Sequence, residues 1–188
     1  MLAVFGYHAL TMDVGYEGSN VTHVTTILIA GSDAEPTFYI FDPTFNGAYV
    51  DRGSGAFLSV DEVLRSIAVG EPRYQFQTQP IKRDYIYEKE NAAELSVMLS
   101  ALGLNPAACE VPDAGQTQLY VCKHFPYDSR VVRAAWNEQL NKLGIPADAD
   151  LILTLMRHRV FSVSATDNLP RRHFLELLAR YGIPYGNS

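Results

Sequence analysis

The fold of this chain follows from HVTTILI at residues 23–29 and FYIFDPTFN at residues 38–46. Both stretches alternate β-branched or aromatic residues along the chain, and GSDAEP at residues 31–36 between them has the composition of a turn. Together they predict an antiparallel hairpin. A register that pairs Ile27 with Ile40 and Ile29 with Phe38 places His23 and Asp42 on one face, whereas a slip of one residue would separate them.

His23 and Asp42 are the candidate catalytic residues. In this register Asp42 lies diagonal to His23, and diagonal neighbours are about 7 to 8 Å apart. We expect Asp42 to accept the Nδ1 proton of the imidazole and to leave Nε2 pointing outward, toward a thiol. We also expect the two side chains to line an open depression. The alternatives are a half-buried strand histidine and, for Asp42 before Pro43, a residue that starts a turn.

Residues 2–64 resemble the transglutaminase-like superfamily of papain-related cysteine enzymes, in which Cys, His and Asp follow one another along the chain. The matching features are the apolar stretch 2–5, the His23 strand, FDPT at 41–44 and a helix opened at 58–62. The resemblance implies that a Cys thiolate attacks an amide or ester carbonyl of a peptide, amide or small-molecule acyl substrate. His23 would act as the base and Asp42 would orient it.

In that family the nucleophile lies at the start of the helix whose end matches residues 2–5, so the resemblance places it before Met1. Met1 leads directly into an apolar run without a capping residue, and only about one helical turn precedes Gly6. These features favour an N-terminal truncation. An ordinary N-terminal strand is the alternative.

The two cysteines of the chain, Cys109 and Cys122, both follow Asp42. We expect neither to reach the His23 imidazole. Cys122 is the alternative nucleophile, because cationic neighbours such as His124, which shares its strand face, lower the pKa of a thiol.

Composition excludes several classes of function. The chain has 188 residues, 47% hydrophobic and 19% charged, which is ordinary for a globular protein. A net charge of −6 with interspersed signs argues against a nucleic-acid partner, and the longest apolar run, residues 150–156, is too short to cross a membrane. Two cysteines fit a reducing compartment, so we expect a cytoplasmic protein. The other histidines show no zinc-ligand spacing, and we expect neither a metal nor a cofactor.

The predicted fold class is α+β, with an antiparallel sheet and packed helices. A transglutaminase-like core at 1–70, incomplete at its N-terminus, would be followed by a helix-rich α/β extension at 73–188. Strands are predicted at 74–77, 81–87 and 118–123. Helices are predicted after a capping box at 59–62 and at 91–102, 129–143 and 168–181. Residues 150–163 are ambiguous between helix and strand.

Two functions remain open from the sequence. One is a cysteine acyltransferase or hydrolase region that is inactive in this chain because the nucleophilic thiol is missing. The other is a non-catalytic binding or scaffold module that retains the fold.

Overall fold

The computed structural model describes residues 8–19, 21–78, 81–88, 119–127, 129–146, 150–165 and 168–186. The strands are β1 (His8–Gly15), β2 (Thr22–Gly31), β3 (Pro36–Asp42), β4 (Gly47–Asp51), β5 (Tyr74–Thr78), β6 (Ile81–Glu88), β7 (Leu119–Tyr127) and β8 (Val160–Ala165). The helices are α1 (Val60–Ala68), α2 (Ser129–Lys142), α3 (Leu151–His158) and α4 (Asn168–Arg180). Within these ranges, no helix combines the length and apolar character needed to span a membrane.

The described residues form two compact units. The first comprises those within Met1–Thr78 and Asp148–Ser188, and the second those within Gln79–Ala147. This division differs from the boundary expected at 70–73. The reason is that β5 pairs with β4, and β8 returns from the C-terminal part of the chain to pair with β1.

The first unit contains a six-stranded antiparallel sheet in the order β5-β4-β3-β2-β1-β8. The hairpin of β2 and β3 has the predicted register, with Ile27 opposite Ile40 and Ile29 opposite Phe38. The mixed α+β class with an antiparallel sheet and packed helices is therefore confirmed. Strand β4 is an element that the sequence did not predict.

Helices cover one face of this sheet. Helix α3 packs against β1, β2 and β8, and α4 against β8 and β3. The covered face carries Leu10, Met12 and Val14 of β1, which are all buried, whereas Thr22 and Val24 on the opposite face of β2 are exposed. The sheet is thus the antiparallel kind with one packed face and one solvent face.

Two helix starts in this unit depend on local hydrogen bonds. Ser59 and Glu62 form the predicted capping box at the start of α1. Residues 150–163, which the sequence left ambiguous between helix and strand, contain helix α3 followed by strand β8. Asp150 caps α3 by accepting from Leu153 N, and the extended backbone of Arg159 ends this helix before β8.

The second unit contains the antiparallel pair β6 and β7, together with α2. Strand β7 extends to Tyr127, beyond its predicted end at Lys123. Helix α2 matches the prediction and is followed by Gly144 at a φ of 78°. The helix predicted at 91–102 lies outside the described residues.

Candidate active site

The structure brings His23 and Asp42 together on the helix-covered face of the sheet. His23 lies near the start of β2 and Asp42 is the last residue of β3. The Nε2–H of His23 donates to Asp42 Oδ2 in a buried side-chain contact. The expectation that the two side chains lie within hydrogen-bonding reach is confirmed, while their catalytic role remains a prediction.

The contact uses the ring nitrogen opposite to the one expected. Asp42 engages Nε2 and not Nδ1. The diagonal separation of the two residues explains this difference. Their backbones are about 7 to 8 Å apart, and Nε2 reaches farther across that distance than Nδ1 because it lies farther from the histidine backbone. The Nδ1 atom is then the nitrogen that a thiol would have to approach.

The pair is enclosed, and the expected open depression is wrong. Only 5% of His23 and 2% of Asp42 are accessible to solvent. The ring of Phe45 stacks on the imidazole with centroids 5.1 Å apart and an interplanar angle of 28°. Phe45 belongs to the turn after β3, so this turn places an aromatic ring against the imidazole.

Asp42 also builds that turn. Its Oδ1 atom accepts hydrogen bonds from Thr44 N at 2.8 Å and from Phe45 N at 2.9 Å. This is the side-chain-to-backbone pattern typical of an Asp that starts a turn. The alternative role of Asp42 is therefore confirmed, and one carboxylate combines it with the histidine contact.

A second carboxyl group, on β1, interacts electrostatically with the histidine. Asp13 is partly buried, and within the described ranges its Oδ1 atom is buried without a hydrogen-bond partner. Burial raises the pKa of the Asp13 carboxyl above its usual value, and the charge of His23 offsets part of this increase. Asp13, the one carboxylate in the β1 sequence HALTMDVG, was not singled out from the sequence.

An aromatic cluster continues from the histidine toward β4 and β5. Phe76 packs edge-on against Phe45 at 6.2 Å and against Tyr49 at 5.0 Å between centroids. Tyr49 is fully buried and donates its hydroxyl to Asp150 Oδ1 at 2.6 Å. The cluster therefore links the covered histidine to the start of α3.

Tyr74 belongs to the same cluster, with its ring 5.8 Å from that of Tyr49. Burial raises the pKa of the Tyr74 hydroxyl, and the negative charge of Asp150 raises it further. This hydroxyl is accordingly a poor source of a phenolate near neutral pH.

Neither cysteine is among the described residues of the first unit. Cys109 lies outside the described residues. Cys122 lies in β7 of the second unit, where its backbone is opposite Tyr85. The expectation that neither cysteine reaches His23 stays a prediction.

Three further histidines of the described ranges lie in other surroundings, and His124 lies in β7 of the second unit. His8 is exposed on β1, the ring of His158 packs on Tyr16, and His173 lies 3.9 Å from Glu176. The described residues contain no group of three or more His, Cys, Asp or Glu side chains that could hold a metal ion.

One cleft of about 350 Å³ lies between the β2–β3 turn and helices α1 and α4. Thr37, Ser59, His173 and Arg180 are among its lining residues, whereas His23 and Asp42 are not. The cleft and the His23–Asp42 pair are thus separate features of the first unit.

Comparison with protein-family models, curated proteins and solved structures finds no match to this chain.

Proposed function

We propose that His23 and Asp42 are the base and the orienting carboxylate of a transglutaminase-like cysteine acyl-transfer site. The observation that carries the proposal is the buried contact between His23 Nε2 and Asp42 Oδ2. An imidazole held by a carboxylate through one nitrogen has a defined tautomer and presents the other nitrogen in a defined direction. This is the arrangement that a histidine base needs.

The reaction follows from that arrangement. His23 Nδ1 takes the proton of a cysteine thiol, and the thiolate adds to the carbonyl carbon of an amide or ester. The tetrahedral intermediate collapses to a thioester, and the imidazolium returns its proton to the departing amine or alcohol. Water or an acceptor amine then attacks the thioester, with His23 again as the base, and the thiol is regenerated.

The thiol is the part of the site that this sequence does not supply before His23, since both of its cysteines follow Asp42. We propose that a residue encoded upstream of Met1 provides it. The chain as given would then catalyse acyl transfer poorly, because loss of a nucleophile costs several orders of magnitude in rate.

The test compares the chain as given with a chain extended by the residues encoded upstream of Met1. Hydrolysis of p-nitrophenyl acetate and incorporation of a fluorescent amine into a glutamine-containing peptide are the two assays. We expect activity in the extended chain only, and a loss of roughly 10²-fold or more with His23→Ala.

His8→Ala is the matched control, because His8 is a strand histidine of the same sheet whose side chain is exposed. It should leave the rate unchanged. An upstream sequence without a cysteine, or full activity in His23→Ala, would refute the acyl-transfer proposal. If Cys122→Ser instead abolished the activity, the nucleophile would have to be assigned to Cys122.

A specific observation favours the second candidate, a non-catalytic module that retains the fold. The pair is almost fully buried, and Asp42 Oδ1 accepts hydrogen bonds from the backbone amides of Thr44 and Phe45 in the turn. On this proposal the pair is a structural contact. The extended chain would then be inactive, while His23→Ala would still lower the free energy of unfolding.

A further inference from the structure

The ring of Phe45 lies against the imidazole of the candidate base. Its ring is stacked on the His23 imidazole at 5.1 Å between centroids, with only 28° between the planes. Phe45 itself is 2% exposed. A buried ring in this position restricts rotation of the imidazole about its Cβ–Cγ bond, because the edge of a turning imidazole would collide with the face of the phenyl ring.

The position of Phe45 is set by the same carboxylate that binds the histidine. Asp42 Oδ1 accepts from Phe45 N at 2.9 Å, and Asp42 Oδ2 accepts from His23 Nε2. One side chain thus determines the location of the imidazole and of the ring that packs on it. The three residues form a unit in which each member restrains the other two.

The Phe45 ring has a second aromatic neighbour. Phe76 meets it edge-on at 6.2 Å and 84°, and Phe76 in turn packs against the fully buried Tyr49. A shift of the Phe45 ring would therefore also alter its contact with Phe76 of β5.

From these contacts we propose that Phe45 is a positioning residue for His23, fixing the plane of the imidazole while Asp42 holds its Nε2 atom. Stacking on Phe45 restricts rotation of the imidazole, and this restraint sets the direction of Nδ1. The role of Nδ1 as the acceptor of a thiol proton rests on the proposed function. The restraint that Phe45 places on the imidazole does not depend on that function.

The experiment measures the Nε2–H proton of His23 by nuclear magnetic resonance in the full chain. In the wild-type protein we expect a resolved signal that exchanges slowly with water, because the proton is buried between Asp42 and the stacked ring. The change Phe45→Leu should accelerate this exchange by roughly two- to tenfold, the range that corresponds to the energy of a stacked aromatic pair.

Phe38→Leu is the matched control. Phe38 is also a buried phenylalanine, 4% exposed, but its ring packs against Phe174 at 5.0 Å. The two leucine variants remove similar amounts of buried surface, and urea unfolding checks that their losses of stability agree. Only Phe45→Leu should change the His23 signal, and Phe45→Tyr, which keeps an aromatic face, should restore it.

Equal acceleration in Phe45→Leu and Phe38→Leu, or no acceleration in Phe45→Leu, would overturn the proposal. The measurement needs neither a thiol nor a substrate. An inactive extended chain with the expected Phe45 effect would refute the proposed function alone, while an active extended chain without that effect would refute the positioning role alone.

Discussion

Asp42 serves two structural purposes through two oxygen atoms. Oδ2 binds the buried histidine, and Oδ1 holds the turn that starts β4. Removal of this carboxylate should lower the free energy of unfolding strongly, because each of its donors loses a hydrogen-bond partner without gaining water.

Replacement of Asp42 tests this double role. Asp42→Ala should lower the free energy of unfolding by about 3 to 5 kcal/mol, since it breaks a buried pair and leaves the turn amides unsatisfied. Asp42→Asn keeps an oxygen for those amides and should cost only about 1 to 3 kcal/mol. Urea unfolding measures both values, with exposed Asp33→Ala as the control. Equal losses in the two Asp42 variants would contradict a separate contribution from the turn.

The pKa values of Asp13 and Asp51 are shifted in opposite directions, which predicts opposite effects of pH on stability. Burial raises the pKa of Asp13 in the folded chain, so its ionisation disfavours folding as pH rises through that folded pKa. Asp13→Asn should therefore raise the melting temperature at pH 7. The gain should shrink on acidification and vanish below the unfolded pKa of about 3.9.

The pKa of Asp51 is lowered, first by the Ser54 backbone amide and then by the Ser54 hydroxyl and the Gly53 amide. The stability contributed by its ionised form is present above about pH 3.9 and is lost as pH falls through the folded pKa. Asp51→Asn should accordingly lower the melting temperature at pH 7, with a deficit that disappears in acid. Melting curves from pH 2 to 8 compare the two variants, and parallel pH profiles would contradict both assignments.

At the scale of elements, α3 is tied to the sheet by its own capping residue. Asp150 Oδ1 accepts from Leu153 N inside the helix and from the Tyr49 hydroxyl of β4. The second bond joins residues 101 positions apart in the sequence. It therefore couples the start of a C-terminal helix to an N-terminal strand.

A double-mutant cycle measures this coupling. Tyr49→Phe should cost about 1.5 to 3 kcal/mol, because the hydroxyl donates to a charged group. In the Asp150→Ala background the same change should cost clearly less, since the acceptor is gone. Tyr39→Phe, at a partly exposed tyrosine of the same sheet, is the control and should have little effect. Additive losses in the cycle would show that the bond contributes nothing to stability.

At the scale of the whole molecule, the first compact unit is built from two separate parts of the chain. Residues up to Thr78 provide five strands and α1, and those from Asp148 onward provide β8, α3 and α4. The apolar face of β1 is covered by α3, so neither part buries its surface alone.

A fragment of residues 1–78 should consequently fail to fold. We expect a poorly dispersed amide spectrum and no cooperative urea transition, because Leu10, Met12 and Val14 lose the helix that covers them. The full chain should show a cooperative transition under the same conditions. A well-dispersed spectrum from the fragment would contradict the two-part architecture.

The sequence alone determined the features that depend on neighbouring residues. Alternation with a period of two predicted the β2–β3 hairpin and its register, because one buried face penalises any slip. The Ser59 capping box likewise predicted the start of α1, since a cap satisfies donors within three residues. The same register places His23 and Asp42 on one face of the hairpin.

Only the tertiary structure decided how that pair is surrounded. The choice of Nε2 over Nδ1 and the stacking of Phe45 on His23 depend on side-chain directions across strands, which alternation does not specify. The cover over the histidine also requires Phe76 from β5, and the sheet itself requires β8, more than a hundred residues from β1. Contacts of this kind depend on packing between distant segments, so no local pattern in the chain encodes them.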